Sequence, residues 1–211
     1  MLIKWLGHAS FLIKTDSITI ITDPFDEKSG YIPYQEAVDI AMVSHQHYDH
    51  NATHVLAGNP LIVDNTDIYS VPGLTIKGIL TYHDQKQGQL RGENIVYKIR
   101  AENMELVHLG DLGHVPTPDM VSNLGQIDVL FIPVGGRFTI DAQQALQTVE
   151  LLQPSMVIPM HYQTPHLSFA LAPVEDFTQH FDRVVKLPLL EIAKADLTGD
   201  RKIVLLDYLS Q

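Results

Sequence analysis

The chain has 211 residues, a length that suits one domain with a real core, and 45% hydrophobic with 18% charged residues excludes disordered and fibrous classes. Twenty-five acidic against 14 basic residues give a formal net charge of -11, which repels a phosphate backbone, so nucleic acid is set aside as a partner. There is no Cys, which removes disulfides, thiolate catalysis and sulfur ligands; eleven His residues remain, and any metal must sit on imidazole nitrogen and carboxylate oxygen.

The start, MLIKWLGHASFLIKTDSITIITD, lacks a basic-then-apolar leader pattern, and no apolar run approaches the ~18 residues of a membrane span. A cytoplasmic protein that does not enter membranes is expected, with its oligomeric state open.

In chain order, a meander is predicted first, with strands at Leu2 to Leu6, Phe11 to Lys14 and Ile18 to Thr22, ending at Asp23-Pro24. PFDEKSGYIP reads as an irregular loop, and VDIAMVS, Val38 to Ser44, as a short buried strand that runs straight into SHQHYDH. A short helix is predicted near Asn51 to Ala57. Strands follow at Leu61 to Val63, Ile68 to Val71 and Leu74 to Leu80, then a polar loop from Tyr82 to Glu93. A second β block covers Ile95 to Ile99 and Met104 to Leu109. Beyond the loop Gly110 to Pro118, helix and strand alternate: helix Asp119 to Leu124, strand Asp128 to Pro133, helix Asp141 to Leu152 and strand Met156 to Pro159. A helix at Val174 to Phe181 and strands at Val184 to Leu187 and Lys202 to Leu206 complete the pattern. No linker-like tract interrupts it, and a single domain over 1-211 is expected. Two β-rich blocks with helices between and after them imply two packed sheets flanked by helices, a layered α/β arrangement.

SHQHYDH places His45, His47, Asp49 and His50 within six positions at the end of an apolar strand. Residues two apart in extended chain point to one side, so His45 and His47 can reach one ion, while Asp49 and His50 turn toward a neighbouring point. A catalytic metal takes about three protein ligands and keeps one position open. The missing ligands are sought at strand ends, where loops on a rigid scaffold converge. Three places qualify: His83, Asp111 in VHLGDLGH and His161 in VIPMHY. Gly110 and Gly113 are expected to let the backbone near Asp111 approach a metal closely.

The ordered set WLGHASFLI, TDP, SHQHYDH, HLGD and IPMHY resembles the metallo-β-lactamase superfamily, in particular its small stand-alone members related to ascorbate-6-phosphate lactonase, over about four fifths of the chain. The resemblance implies a four-layer αββα sandwich of two mixed sheets. It also implies two divalent ions, the first on His45, His47 and His83 and the second on Asp49, His50 and His161, with Asp111 bridging them. Asp23 would accept a hydrogen bond that orients a ligand. His108, three residues before Asp111, competes with His83 for its role. His8 either overhangs the site and touches substrate or simply occupies a turn, and Tyr162 and His166 beside the His161 loop are open in the same way. His54 and His180 read as solvated, and His114 and the Gly135-Gly136 pair are left open.

Such a site implies a metal-dependent hydrolase. Metal-bound water has its pKa brought to ~7, so a bridging hydroxide would attack a carbonyl carbon or phosphorus while the second ion takes up the developing oxyanion and Asp49 orients the nucleophile. Two ions against Asp49, Asp111 and a hydroxide leave about one positive charge, which would attract a small anionic substrate. Ester, lactone, amide and phosphodiester bonds all suit this chemistry. Zinc is the expected ion, with manganese or iron as alternatives. Two other readings are a di-iron redox protein, which in related folds has a carboxylate where this chain has His47, and a catalytically silent metal-bound scaffold.

Overall fold

A computed structural model describes residues 1–197 and 199–208. The chain opens with β1 (Leu2–Gly7), β2 (Ser10–Lys14) and β3 (Thr19–Thr22), then β4 (Ile40–Met42), β5 (Leu61–Val63), β6 (Ile68–Val71) and β7 (Leu74–Tyr82). It continues through β8 (Glu93–Ala101), β9 (Met104–His108), α1 (Pro118–Leu124), β10 (Val129–Pro133), α2 (Ala142–Leu152) and β11 (Met156–Met160). Last come α3 (Glu175–Thr178), β12 (Val184–Leu187), β13 (Leu190–Glu191) and β14 (Lys202–Leu206). Among the described residues no helix is long and apolar enough to cross a membrane.

The strands form two mixed sheets, one ordered β13-β1-β2-β3-β4-β5 and the other β12-β14-β11-β10-β9-β8-β7-β6. In the first, β1, β2 and β3 pair antiparallel while β3, β4 and β5 pair parallel, so β1, β3 and β4 run in one direction. In the second, β9, β10 and β11 are parallel and β7, β8 and β9 alternate, so β7, β9 and β11 also share a direction. Each of those six strands delivers its carboxyl end to the same edge of its sheet. In open α/β sheets that edge is where ligands bind.

Between the sheets lies the main core. Ile3, Trp5, Phe11, Ile13 and Met42 of the first sheet belong to one cluster with Ile76, Val96, Ile99, Leu106 and Phe131 of the second. The Phe11 and Phe131 rings meet at 4.5 Å between centroids. The buried Tyr97 hydroxyl on β8 faces the carbonyls of Val43 and Val63, each at 2.9 Å, and so ties one sheet to the other.

The helices cover the larger sheet through Met120, Leu124, Ala145, Val149, Leu152 and Phe177. Their ends follow local rules. Thr117 caps α1 by accepting the Met120 N–H, with Pro118 in the first turn; Asp141 and Gln144 form a reciprocal capping box on α2.

The architecture is the expected sandwich of two mixed sheets. Its outer layer over the six-stranded sheet is made differently: Leu6, Leu12, Ile21 and Ala41 are covered by Phe25, Tyr31, Tyr34, Leu56 and Leu167 from loops and single 3-10 turns. The helix predicted near Asn51 to Ala57 is one such turn, Thr53–Val55. Ala52 offers no side-chain cap, and the β-branched Thr53 and Val55 disfavour continuation. The helix predicted at Val174 to Phe181 is the shorter α3, and β13 has no sequence counterpart because two residues carry no periodicity.

Phe131 is 0% exposed at the seam of the two sheets. Phe131→Ala should lower the unfolding free energy by about 3–5 kcal/mol, whereas Leu151→Ala, on an exposed face of α2, should change it by less than about 0.5 kcal/mol; urea denaturation of both variants checks this.

Candidate metal centre

Asp23 stands just past β3 with φ of 39° and anchors the end of β4. Its Oδ1 accepts the Ser44 N–H at 2.7 Å, and its Oδ2 accepts from the Ser44 hydroxyl at 2.8 Å and from His50 Nδ1 at 3.0 Å. Ser44 Oγ, having donated to Asp23, accepts from His45 Nδ1 at 3.0 Å. With its Nδ1 proton committed in this way, His45 presents a bare Nε2 lone pair on the opposite side of its ring, and His50, donating from Nδ1 to Asp23, turns its own Nε2 the same way.

Both Nε2 atoms face Asp111, which follows β9. Its Oδ2 lies 3.1 Å from His83 Nε2, 3.2 Å from His161 Nε2, 3.4 Å from His50 Nε2 and 3.9 Å from His45 Nε2. His47 stands at the rim, its Nδ1 2.9 Å from His45 Nε2. Asp49 lies at the other side, its Oδ2 3.2 Å from His8 Nε2 and 4.0 Å from His50 Nε2. The seven residues His45, His47, Asp49, His50, His83, Asp111 and His161 thus come from four separate strand ends to one place.

His8 belongs there too. It ends β1 with φ of 51°, is 0% exposed, and its Nε2 lies 3.1 Å from His50 Nε2. Trp5 Nε1 and the His161 N–H both donate to the His8 carbonyl at 3.1 Å, which clamps this turn to the end of β11. Its ring packs 4.2 Å from that of His161. The sequence reads His8 as a substrate contact or a plain turn residue; its place among the donor rings is a third arrangement.

His108 does not compete with His83. Its Nε2 is 2.8 Å from the Ala9 carbonyl and its Nδ1 accepts the Gly110 N–H at 3.2 Å, so both ring nitrogens are engaged away from the cluster. Tyr162 and His166 also stay outside it. His161 turns with φ of 53°, after which Tyr162 stacks on Trp5 at 5.1 Å within the main core, and His166 packs on Tyr208 at 4.7 Å, beside the outer face of the first sheet. The glycines act differently from expectation as well. A Cβ on Gly110 would strike Ser44 and Asn94, and one on Gly113 would strike the His83 and Asp84 backbone, so they permit strand ends to pack on each other.

Asn94 has no counterpart in the sequence reading, yet it holds the whole second-sheet side in place. Fully buried, its Oδ1 accepts the Asp111 N–H at 2.9 Å while its Nδ2 donates to Thr81 Oγ1 at 2.8 Å and the Leu109 carbonyl at 3.0 Å. One amide thereby fixes the ends of β7, β8 and β9. The only sequence signal is a polar residue at the head of an apolar strand.

Electrostatics follow from this crowding. Burial, aided by His50, pushes His45 down to about 2, and burial with His161 beside it pushes His8 down to about 4; both are neutral imidazoles. Burial lowers His47 in the same way. His50 goes up: burial opposes its charge, but Asp111 and the hydrogen bonds to Asp111 and Asp23 outweigh it. Asp111 is held well below the carboxylate range, against burial, by His161 and His50, and Asp49 is also lowered by His8 and His50.

The residues fit divalent ions. Three donor sets have their atoms within 4.8 Å of one another: His45, His47 and His83; His45, His50 and Asp111; and His8, His50 and His161. Asp111 Oδ1 is buried without a hydrogen-bond partner, as a carboxylate oxygen that faces a cation would be. The donors are nitrogen and oxygen, a set suited to zinc, manganese or iron. A cavity of about 340 Å³ opens onto these groups, walled by Tyr48, Arg91, Phe138 and Phe169. Another cavity, about 690 Å³, lies elsewhere, against β12 and β14, and none of the three donor sets lines it.

Two mixed sheets that deliver imidazoles and carboxylates from their strand ends to one buried point define a metal-binding hydrolase scaffold. Residues 2–161 match the model of the beta-lactamase superfamily domain, and the chain belongs to that family. It is 28% identical to a UPF0173 metal-dependent hydrolase of Methanopyrus kandleri over 88% of this chain and 92% of the relative. It is 30% identical to a UPF0173 protein of Pyrococcus abyssi over 78% and 84% of the two. Among solved structures, a Thermotoga maritima protein described as a candidate zinc-dependent hydrolase of the metallo-β-lactamase superfamily superposes with a TM-score of 0.83, at 41% identity and 97% coverage of both chains. The protein is a metal-dependent hydrolase of this superfamily.

Asp23→Ala removes the carboxylate that orients His50 and receives the Ser44 N–H. The variant should bind zinc about 10–100-fold more weakly, as read by competition with a chromogenic chelator.

Proposed function

We propose that the chain uses two divalent ions, zinc in the first instance, to hydrolyse an ester, lactone, amide or phosphodiester bond in a small anionic substrate. The observation that carries this reading is the position of Asp111: one carboxylate oxygen lies 3.1 to 3.9 Å from four imidazole nitrogens contributed by both sheets. A lone buried carboxylate needs one cationic partner, whereas this one faces two nitrogen sets at once. His45, His47 and His83 would hold the first ion and His50, His161 and Asp49 the second, with Asp111 between them. His8 Nε2 is close enough to His50 and Asp49 to serve the second position as well.

Bound there, the ions would supply a nucleophile from water at neutral pH and accept the charge that develops on the attacked group. The protein's own work is to hold the donors still. Asp23 and Ser44 fix the tautomers of His45 and His50, Asn94 fixes the backbone of Asp111, and the fully buried His8 and His161 close the inner wall against bulk water. Asp49, at the cavity edge beside His8, would accept a hydrogen bond from the attacking water.

Elemental analysis of the purified chain should find up to two equivalents of metal. Chelation should abolish hydrolysis of an ester and phosphodiester panel and lower the melting temperature, with zinc restoring both. Asp111→Ala should lose metal and turnover together, and a variant that kept full metal content and rate would overturn the assignment.

A further inference from the structure

Arg91 lines the cavity over the metal centre together with His47, His83 and Asp111, and it also lines the neighbouring cavity of about 300 Å³ on the far side of His47. Its place is set by a carboxylate next in sequence to a metal-site residue. Asp84 accepts the backbone N–H groups of Lys86, Gly88, Leu90 and Arg91 at 2.7 to 3.1 Å, and His83 N–H closes the loop onto the Gly92 carbonyl at 3.1 Å. The loop that carries Arg91 is therefore braced against His83.

The guanidinium carbon sits 4.6 Å from the centroid of Phe138, a geometry that orients the planar group while leaving its N–H edge free. Arg100 and Arg201 lie on the carboxylates of Glu105 and Glu150, whereas Arg91, like Arg137 and Arg183, has no carboxylate partner among the described residues, and of these three it is Arg91 that lines the cavity. In a chain of net charge -11, this exposed guanidinium offers an anionic ligand a partner beside the active centre. Phe138 packs edge-on to Phe169 at 5.9 Å, and Phe169 packs edge-on to His8 at 5.6 Å, so an aromatic wall runs from beneath Arg91 down to the donor cluster. Tyr48 faces the same cavity.

We propose that Arg91 and this wall form a binding subsite for the far end of the substrate, which is a small organic oxyanion whose flat apolar body lies along Phe138 and Phe169 while its second anionic group meets the Arg91 guanidinium. The inference rests on the hydrolase reading above and narrows its substrate class. A guanidinium pairs with carboxylate and phosphate oxygens in bidentate fashion, so the shared chemistry is a planar oxyanion head. A cavity of about 340 Å³ is near the small end of ligand sites, which restricts the body to roughly one ring or its equivalent.

Calorimetric titration of the zinc-loaded full chain with two matched probes tests this: terephthalate, and 4-carbamoylbenzoate, which has the same shape but a neutral amide in place of one carboxylate. Terephthalate should bind about tenfold more tightly, the ratio should fall to about one in Arg91→Ala, and Arg91→Lys should keep part of it. 4-Phosphonobenzoate, run alongside, separates a carboxylate preference from a phosphate-type one. Equal affinity of the wild-type chain for terephthalate and 4-carbamoylbenzoate, or a ratio that survives Arg91→Ala, would overturn the subsite. Failure of the chain to take up zinc would instead overturn the zinc-site reading beneath it, and the metal titration that precedes the probes distinguishes the two.

Discussion

A carboxylate with 2% of its surface exposed, set among four imidazoles, organises this molecule. Buried charge is costly unless it is paired, and the imidazoles around Asp111 are drawn from both sheets. His83 and His161 come from the same sheet as Asp111, while His45 and His50 come from the other. The full set of four is assembled only where the two sheets dock, across the apolar seam in which Phe11 meets Phe131.

Strand direction does the positioning. Because β1, β3 and β4 run together in one sheet and β7, β9 and β11 in the other, their six carboxyl ends deliver His8, Asp23, the His45 segment, His83, Asp111 and His161 to one rim. At three of those ends the backbone turns into the left-handed region, at His8, Asp23 and His161, which re-aims each side chain sharply away from its strand. Neutral polar groups then lock the result. Ser44 and Asn94 carry no charge and supply no atom to the donor sets, yet their hydrogen bonds hold the Nδ1 side of His45 and the Asp111 backbone in place.

The walls of the cavity follow a different logic from its floor. The floor residues sit at the ends of hydrogen-bonded strands, so their spacing is set by the sheet. Arg91, Phe138 and Phe169 sit on loops whose conformation depends on local devices such as the four N–H groups gathered by Asp84. A scaffold of this kind keeps its chemistry while loop residues select what enters.

Strands were legible wherever apolar residues recurred between clear turn signals, as at Ile68 to Val71 and from Leu74 onward, and the dense His segment announced a metal site by composition alone. The amino-acid order by itself determined which residues were chemically able to bind a metal and that they stood at strand ends, because alternation and residue type are local properties. Only the tertiary structure decided that His8 joins the cluster, that His108 spends both nitrogens on backbone groups, that Tyr162 and His166 lie outside it, and that Asn94 holds the Asp111 backbone while Arg91 lines the cavity. Those outcomes depend on which surfaces meet across two sheets and on the turn taken at each strand end, and neither is encoded in the spacing of residues along one segment.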